Sequence, residues 1–238
     1  MDIEIKGVIC SDDDVWYYEW FGETCTSPSI VRKLIKQASG DDLIVKINSG
    51  GGDVFSASEI YTELRNYPGK VRIQVQGLAA SAASVIAMAG YCEISPTALM
   101  MVHNVSSYAS GDYRVMEHER DALKTANKTI AAAYVAKTGM SEAEALEMMD
   151  QETWIDAQRA VSLKLADEVM FTDKHAWSIT NFKKPAYSNS LVSVPDEVLN
   201  RIFKNNQPEE ADFLVQHQKK KEIEAKLNLL KIGGKIYE

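Results

Sequence analysis

No run of apolar residues in this sequence approaches the ~20 that a membrane-spanning helix requires. The opening residues, Met1-Asp2-Ile3-Glu4, carry neither a basic cluster nor an apolar stretch, so no secretory signal is expected. Cysteine is scarce. Cys10, Cys25 and Cys92 are odd in number and lack CxxC spacing, which argues against a disulfide framework or a zinc site. They read as free thiols in a reducing cytoplasm. No GxxxxGK followed by Ser or Thr occurs, nor a GxGxxG with an acidic partner, so phosphate-cradling nucleotide chemistry is not expected. Positive charge is in deficit, with 26 Lys and Arg against 34 Asp and Glu. The net charge of −8 argues against nucleic acid as the main partner. No internal repeat is visible.

What is present is ordinary for a globular protein: 238 residues, 45% hydrophobic and 25% charged, enough for one or two domains. The charge is uneven. Residues 176–238 hold ten basic and eight acidic side chains, and the rest of the chain 16 and 26. The texture changes at the same place. Lys183-Lys184-Pro185 and Ser188-Asn189-Ser190 read as linker, followed by a charged helical stretch from about Glu210 to Leu230 with Ile223, Leu227 and Leu230 on one face. The expected organisation is one domain over 1–175 and a linker with a partly helical tail over 176–238. The basic run Lys219-Lys220-Lys221 reads as a solvated helix face.

Within the first 175 residues strands and helices alternate. Ile3–Ile9 reads as a strand. Ser27-Pro28 opens a helix to about Ala38, with Ser as cap and Pro in the first turn. Leu43–Ile47 is a short apolar strand of the kind found in a sheet covered on both faces, ending in the loop Asn48-Ser49-Gly50-Gly51-Gly52. A helix follows from Val54 to Asn66, then a strand from Val71 to Val75, then a small-residue helix from Ser81 to Ala89. Tyr91–Ile94 and Ala98–Val102 fit a short strand pair. This order predicts an α/β fold of repeated right-handed βαβ units. Asp112–Lys137 predicts one long helix closed at Thr138-Gly139. Ser141 and Glu144 have capping-box spacing and open a helix to about Met149, and Asp156–Leu163 reads as another.

Four segments could carry chemistry. In Gly77-Leu78-Ala79-Ala80-Ser81-Ala82-Ala83-Ser84, a serine between alanines sits where a strand meets a helix. Small neighbours would let a substrate backbone approach, and the free N–H groups of the helix start could meet developing negative charge. A helix packed tightly on the sheet with Ser81 as its cap explains the same residues. The glycines after Asn48-Ser49 permit positive φ and close backbone contact, as would any flexible turn. Of four histidines, His118 lies in the long helix and His175 and His217 in or near the tail; only His103 stands at a strand end. Imidazole suits general-base work near neutral pH. Asp150 and Glu152 could orient His103, or simply be solvated acids of a polar loop.

Together these segments resemble the ClpP family of serine peptidases, in its phage and prophage branch. The resemblance spans about residues 3–170. Four motifs carry it, in the family's order: Asn48-Ser49-x-Gly51-Gly52, Gly77-x-Ala79-Ala80-Ser81, Met101-Val102-His103, and Glu152-Thr153-Trp154 leading to Ala157 and Leu165-Ala166-Asp167. It implies a ClpP/crotonase-like fold with the long helix as its handle. It implies Ser81 as nucleophile, His103 as general base, the amides of Gly51 and Ala82 as oxyanion hole, and Gly50 and Gly52 along the substrate. For the triad acid it implies Glu152, with Asp150 as the alternative.

Three positions depart from the family. Gly50 replaces its usual Pro, a change expected to loosen the loop. Ala82-Ala83 replaces Met-Gly, and Glu152 stands where Asp is usual. The resemblance implies no metal and no organic cofactor. It implies a polypeptide substrate, a homo-oligomer of stacked heptameric rings, and the cytoplasm of a bacterial or phage-infected cell. A capsid or scaffold protein, cut during phage head maturation, is a further implied partner. Nucleic acid and membrane are not expected. Two rival readings stay open: an inactive assembly protein with the same fold, and a crotonase-type acyl-CoA enzyme.

Overall fold

The computed structural model describes residues 1–172. The linker and tail helix expected beyond 176, with His175, His217 and Lys219-Lys220-Lys221, lie outside the described residues.

The chain runs β1 (Asp2–Ile9), a 3-10 turn (Asp12–Asp14), α1 (Val15–Phe21), β2 (Cys25–Thr26), α2 (Pro28–Ala38), β3 (Leu43–Gly52), α3 (Val54–Arg65), β4 (Val71–Ala80) and α4 (Ala82–Ala87), with the strand–helix alternation expected from α2 onward. Then come β5 (Tyr91–Ile94), β6 (Leu99–Val102), α5 (Tyr113–Thr138), α6 (Glu142–Asp150), β7 (Thr153–Asp156), α7 (Ala157–Ser162) and β8 (Glu168–Val169). The sheet runs β2-β1-β3-β4-β5-β8, and β6 pairs with both β4 and β7. Every pairing is parallel except β6 with β7. β5 and β6 do not pair with each other, contrary to the reading of a strand pair. β5 continues the sheet beside the first half of β4, and β6 beside its last residues.

Two strands outrun their expected ends. β3 does not stop at Ile47. Its glycine segment stays in the sheet, with Val8 opposite Gly51, Ile9 opposite Gly52, and Ser49 opposite Ala79. The segment read as a loosened loop is therefore a strand, with Gly51 and Gly52 paired to β1 and Ser49 to β4. Its composition hid this, because glycine has low strand propensity and here backbone pairing overrides it. β4 likewise runs on to Ala80, directly before the serine. β3 is also not covered on both faces. Leu43, Val45 and Ile47 are fully buried, while Lys46 reaches the surface and pairs with Asp2 at 2.5 Å.

One apolar core joins Ile3, Ile5, Val45, Ile47, Ile73 and Val75 of the sheet to Ile60 and Leu64 of α3 and Ile86 of α4. α5 joins it only near its C-terminal end, through Ile130, Ala131, Ala133 and Tyr134. Asp112 caps the start of α5 by accepting from the Arg114 and Val115 amides, and Gly139 closes it in the left-handed region. The capping box at Ser141 and Glu144 forms as its spacing predicts. α1 was not foreseen, because Val-Trp-Tyr-Tyr-Glu-Trp-Phe has no amphipathic period; Trp16, Trp20 and Phe21 are all more than half exposed.

Candidate active site

Ser81 stands between the end of β4 and the start of α4, with φ 53° and ψ −125°. These angles are those of the first central position of a type II′ turn, where glycine is the usual residue. A serine held there stores about 1–3 kcal/mol. The surroundings hold the turn closed. The Ser81 N–H donates to Met101 O at 2.9 Å, tying it to β6. The Ser81 carbonyl accepts from the Ser84 N–H at 2.9 Å and the Ser84 hydroxyl at 2.6 Å.

His103 follows β6, one residue past its end. Because β6 lies beside β4, with Ala80 opposite Met101, the sheet brings the two chain ends out together. His103 Nε2 lies 2.7 Å from Ser81 Oγ, and both residues are half-buried. The hydroxyl is thus placed to give its proton to the imidazole and attack an electrophilic carbon in front of the turn.

The two carboxylates are placed differently. The antiparallel β6–β7 ladder pairs Val102 with Thr153, so the next step sets His103 across from Glu152. Glu152 leaves the ladder at that point, with φ 46°, and its side chain is exposed. Asp150 accepts a hydrogen bond from Asn104 Nδ2 at 2.7 Å. Among the described residues no hydrogen bond joins either acid to His103. The structure brings Ser81 and His103 together and leaves the acid beside them, unjoined.

The backbone donors also differ from one another. Gly51, at φ 98°, lies against the serine turn so closely that a Cβ there would fall 2.7 Å from Ala80 O and 2.8 Å from Ser81 Cβ. Its N–H, however, donates to Ser49 Oγ at 3.1 Å, and Ser49 Oγ donates in turn to Gly7 O at 2.6 Å. The Gly51 amide therefore already has an acceptor. Ala82 opens α4, in the turn whose amides have no intrahelical acceptor. Gly52, at φ 145°, packs on the Ile9 backbone, and Gly50 has open space beside it.

Several residues at the site carried no signal in the sequence. Asn104 binds Asp150, and its own buried Oδ1 has no partner among the described residues. Asn127 of α5 accepts from the Val105 N–H at 2.8 Å and fixes the segment after His103. Ser84 contacts Tyr134 of α5 at 2.7 Å, across 50 residues of sequence. Among the described residues no group of three or more His, Cys, Asp or Glu could hold a metal ion. A recess of about 450 Å³ lined by Ser29, Arg32, Lys33, Lys36 and Gln37 lies on α2 and shares no residue with this constellation.

An α/β sheet that brings a strained serine to a histidine at a strand end has the geometry that a serine nucleophile and its base require. The comparisons narrow the class. Residues 18–173 match the family model described as Clp protease. The ATP-dependent Clp protease proteolytic subunit 1 of Chlamydia muridarum is 27% identical over 165 residues, 64% of this chain and 85% of that protein. The subunit of the same description from Protochlamydia amoebophila is 31% identical over 154 residues, covering 61% of this chain and 74% of that protein. In fold, the chain resembles a mutant ClpP1 from Listeria monocytogenes, with TM-score 0.58 and 20% identity over 71% of this chain and 90% of that one. The chain belongs to the Clp protease family, and so to the serine-type endopeptidases.

Proposed function

We propose that this chain cleaves peptide bonds with Ser81 as nucleophile and His103 as general base. The observation that carries the reading is the 2.7 Å approach of His103 Nε2 to Ser81 Oγ, from a turn strained to present the hydroxyl. Nε2 accepts the Ser81 proton, which requires the ring hydrogen on Nδ1. Ser81 Oγ bonds to the scissile carbonyl carbon, and the tetrahedral oxyanion meets the Ala82 N–H, with Gly51 sharing its amide between Ser49 and the oxyanion. His103 then gives its proton to the leaving amine. Water, deprotonated by His103, releases the carboxylate product and restores Ser81.

Glu152 is the acid read to serve Nδ1, supported by a β6–β7 register that ends at Val102 and Thr153, the residues next to His103 and Glu152; Asp150 is the alternative. An extended substrate would run beside Gly50 and Gly52. The working form is a homo-oligomer of stacked heptameric rings with the sites inside a chamber. The finer role is phage head maturation on a capsid or scaffold protein, in the cytoplasm, with residues 176–238 as a separate tail. The supporting observation is the contrast between an acidic body and a near-neutral tail.

The missing contact between His103 and an acid favours a second reading, an assembly protein with this fold and no turnover. A fluorophosphonate probe with mapping of the modified peptide separates the two. An adduct at Ser81, absent in Ser81→Ala and in His103→Ala, is expected. Folded protein that takes no probe overturns the hydrolytic reading in favour of the second.

A further inference from the structure

Ser84 and Tyr134 are polar side chains buried in an apolar layer. Ser84 is fully buried, and Tyr134 is 3% exposed among Ile130, Ala131 and Ala133 of α5. Alanine and phenylalanine would fill the same space without two hydroxyls to satisfy. The direction of their hydrogen bonds follows from counting protons. Ser84 has one hydroxyl hydrogen, and it goes to Ser81 O at 2.6 Å. The 2.7 Å contact between Ser84 Oγ and Tyr134 OH must then have Tyr134 as donor. The result is a directed chain, Tyr134 O–H to Ser84 O–H to the Ser81 carbonyl, in which each bond polarises the next.

The end of that chain is the nucleophile's own backbone, and the residue it holds is the strained one. The other end is anchored. Three residues beyond Tyr134, Lys137 donates to Gly90 O at 2.9 Å and pairs with Asp167, which also accepts from the Cys92 N–H at 2.6 Å. This segment of α5 is therefore fastened to the sheet on its own account.

We propose that Ser84 and Tyr134 are positioning residues for the Ser81 nucleophile, a buried hydroxyl chain by which α5 holds the Ser81 turn in the conformation that meets His103. The proposal rests on the hydrolytic reading of Ser81. It makes the C-terminal end of α5 part of the active-site frame, acting through Ser84 on the Ser81 backbone.

The test measures the rate of fluorophosphonate labelling at Ser81 in the full-length protein, alongside its melting temperature. Ser84→Ala is expected to slow labelling about tenfold and Tyr134→Phe about threefold, since small misplacements of a reacting group are costly. With a cleavable peptide, kcat falls and KM does not. The double variant is expected to label no more slowly than Ser84→Ala alone, because the two hydroxyls act as one chain. Rates within about twofold of wild type, with only the melting temperature lowered, overturn the proposal and leave a satisfied core pair. Should Ser84→Ala not fold, Tyr134→Phe, which keeps the ring volume, carries the comparison. If wild-type Ser81 takes no probe, the hydrolytic reading has failed separately. A crystal structure of either folded variant then decides: a Ser81 φ relaxed to negative values supports the chain, and an unchanged positive φ overturns it.

Discussion

Three neighbouring glycines, alike in the sequence, are unlike in the structure. Gly51 has a positive φ and backs onto Ser81 and Ala82; Gly52 has one too and backs onto Ile9; Gly50 has open space. A methyl group at Gly51 would press on the turn from behind while forcing the backbone into a strained region. Gly51→Ala is therefore expected to cost about 1–3 kcal/mol in denaturant unfolding and to suppress probe labelling at Ser81. Gly50→Ala should leave unfolding within about 0.5 kcal/mol of wild type. Equal stability of the two variants would mean that the Gly51 contacts do not constrain the site.

At the scale of elements, α5 is the outlier. Its 26 residues run far beyond the core, which covers only the stretch from about Ile130. Tyr113, Val115 and Met116 near its start are exposed, as is Tyr108 just before it. A helix held at one end and capped at the other leaves a long free face. In the proposed ring assembly that face meets another copy. Light scattering is expected to return a mass several times the 26.5 kDa of one chain. A monomer at micromolar concentration would overturn the assembly. The β6–β7 pair is the other decisive element. Its antiparallel register ends with Val102 opposite Thr153, which brings the ends next to His103 and Glu152 to the same edge of the sheet.

The whole molecule has an alkaline weakness built into its core. Burial pushes the thiols of Cys10 and Cys92 up to about 12, and the phenol of Tyr134 also to about 12. In the unfolded chain these groups ionise near 9 and 10. Each raised value contributes stability that is complete below the unfolded pKa and is lost as pH climbs toward the folded one. The melting temperature should therefore fall between pH 9 and pH 12, and Cys92→Ala should flatten that fall. A melting temperature constant across the range would show that these groups are not buried as described.

Much of this molecule is readable along the chain. The helices from Pro28, Val54 and Tyr113, the Ser141 cap, the Gly139 stop and the candidates Ser81 and His103 all rest on local signals: period, capping chemistry and turn residues. These depend on neighbours within four or five positions, so sequence carries them directly. What sequence left open depends on contacts between distant segments. Whether the glycine stretch is loop or strand was decided by β1, which pairs with Gly51 and Gly52, and by β4, which pairs with Ser49 just before them. The separation of Ser81 from His103 was set by the register of β4 against β6. The Gly51 amide was claimed by Ser49, and the place of Glu152 was set by where it leaves the β7 ladder. The link from Tyr134 to Ser84 had no trace in the sequence at all, because a hydrogen bond across 50 residues exists only once the core has closed around both ends.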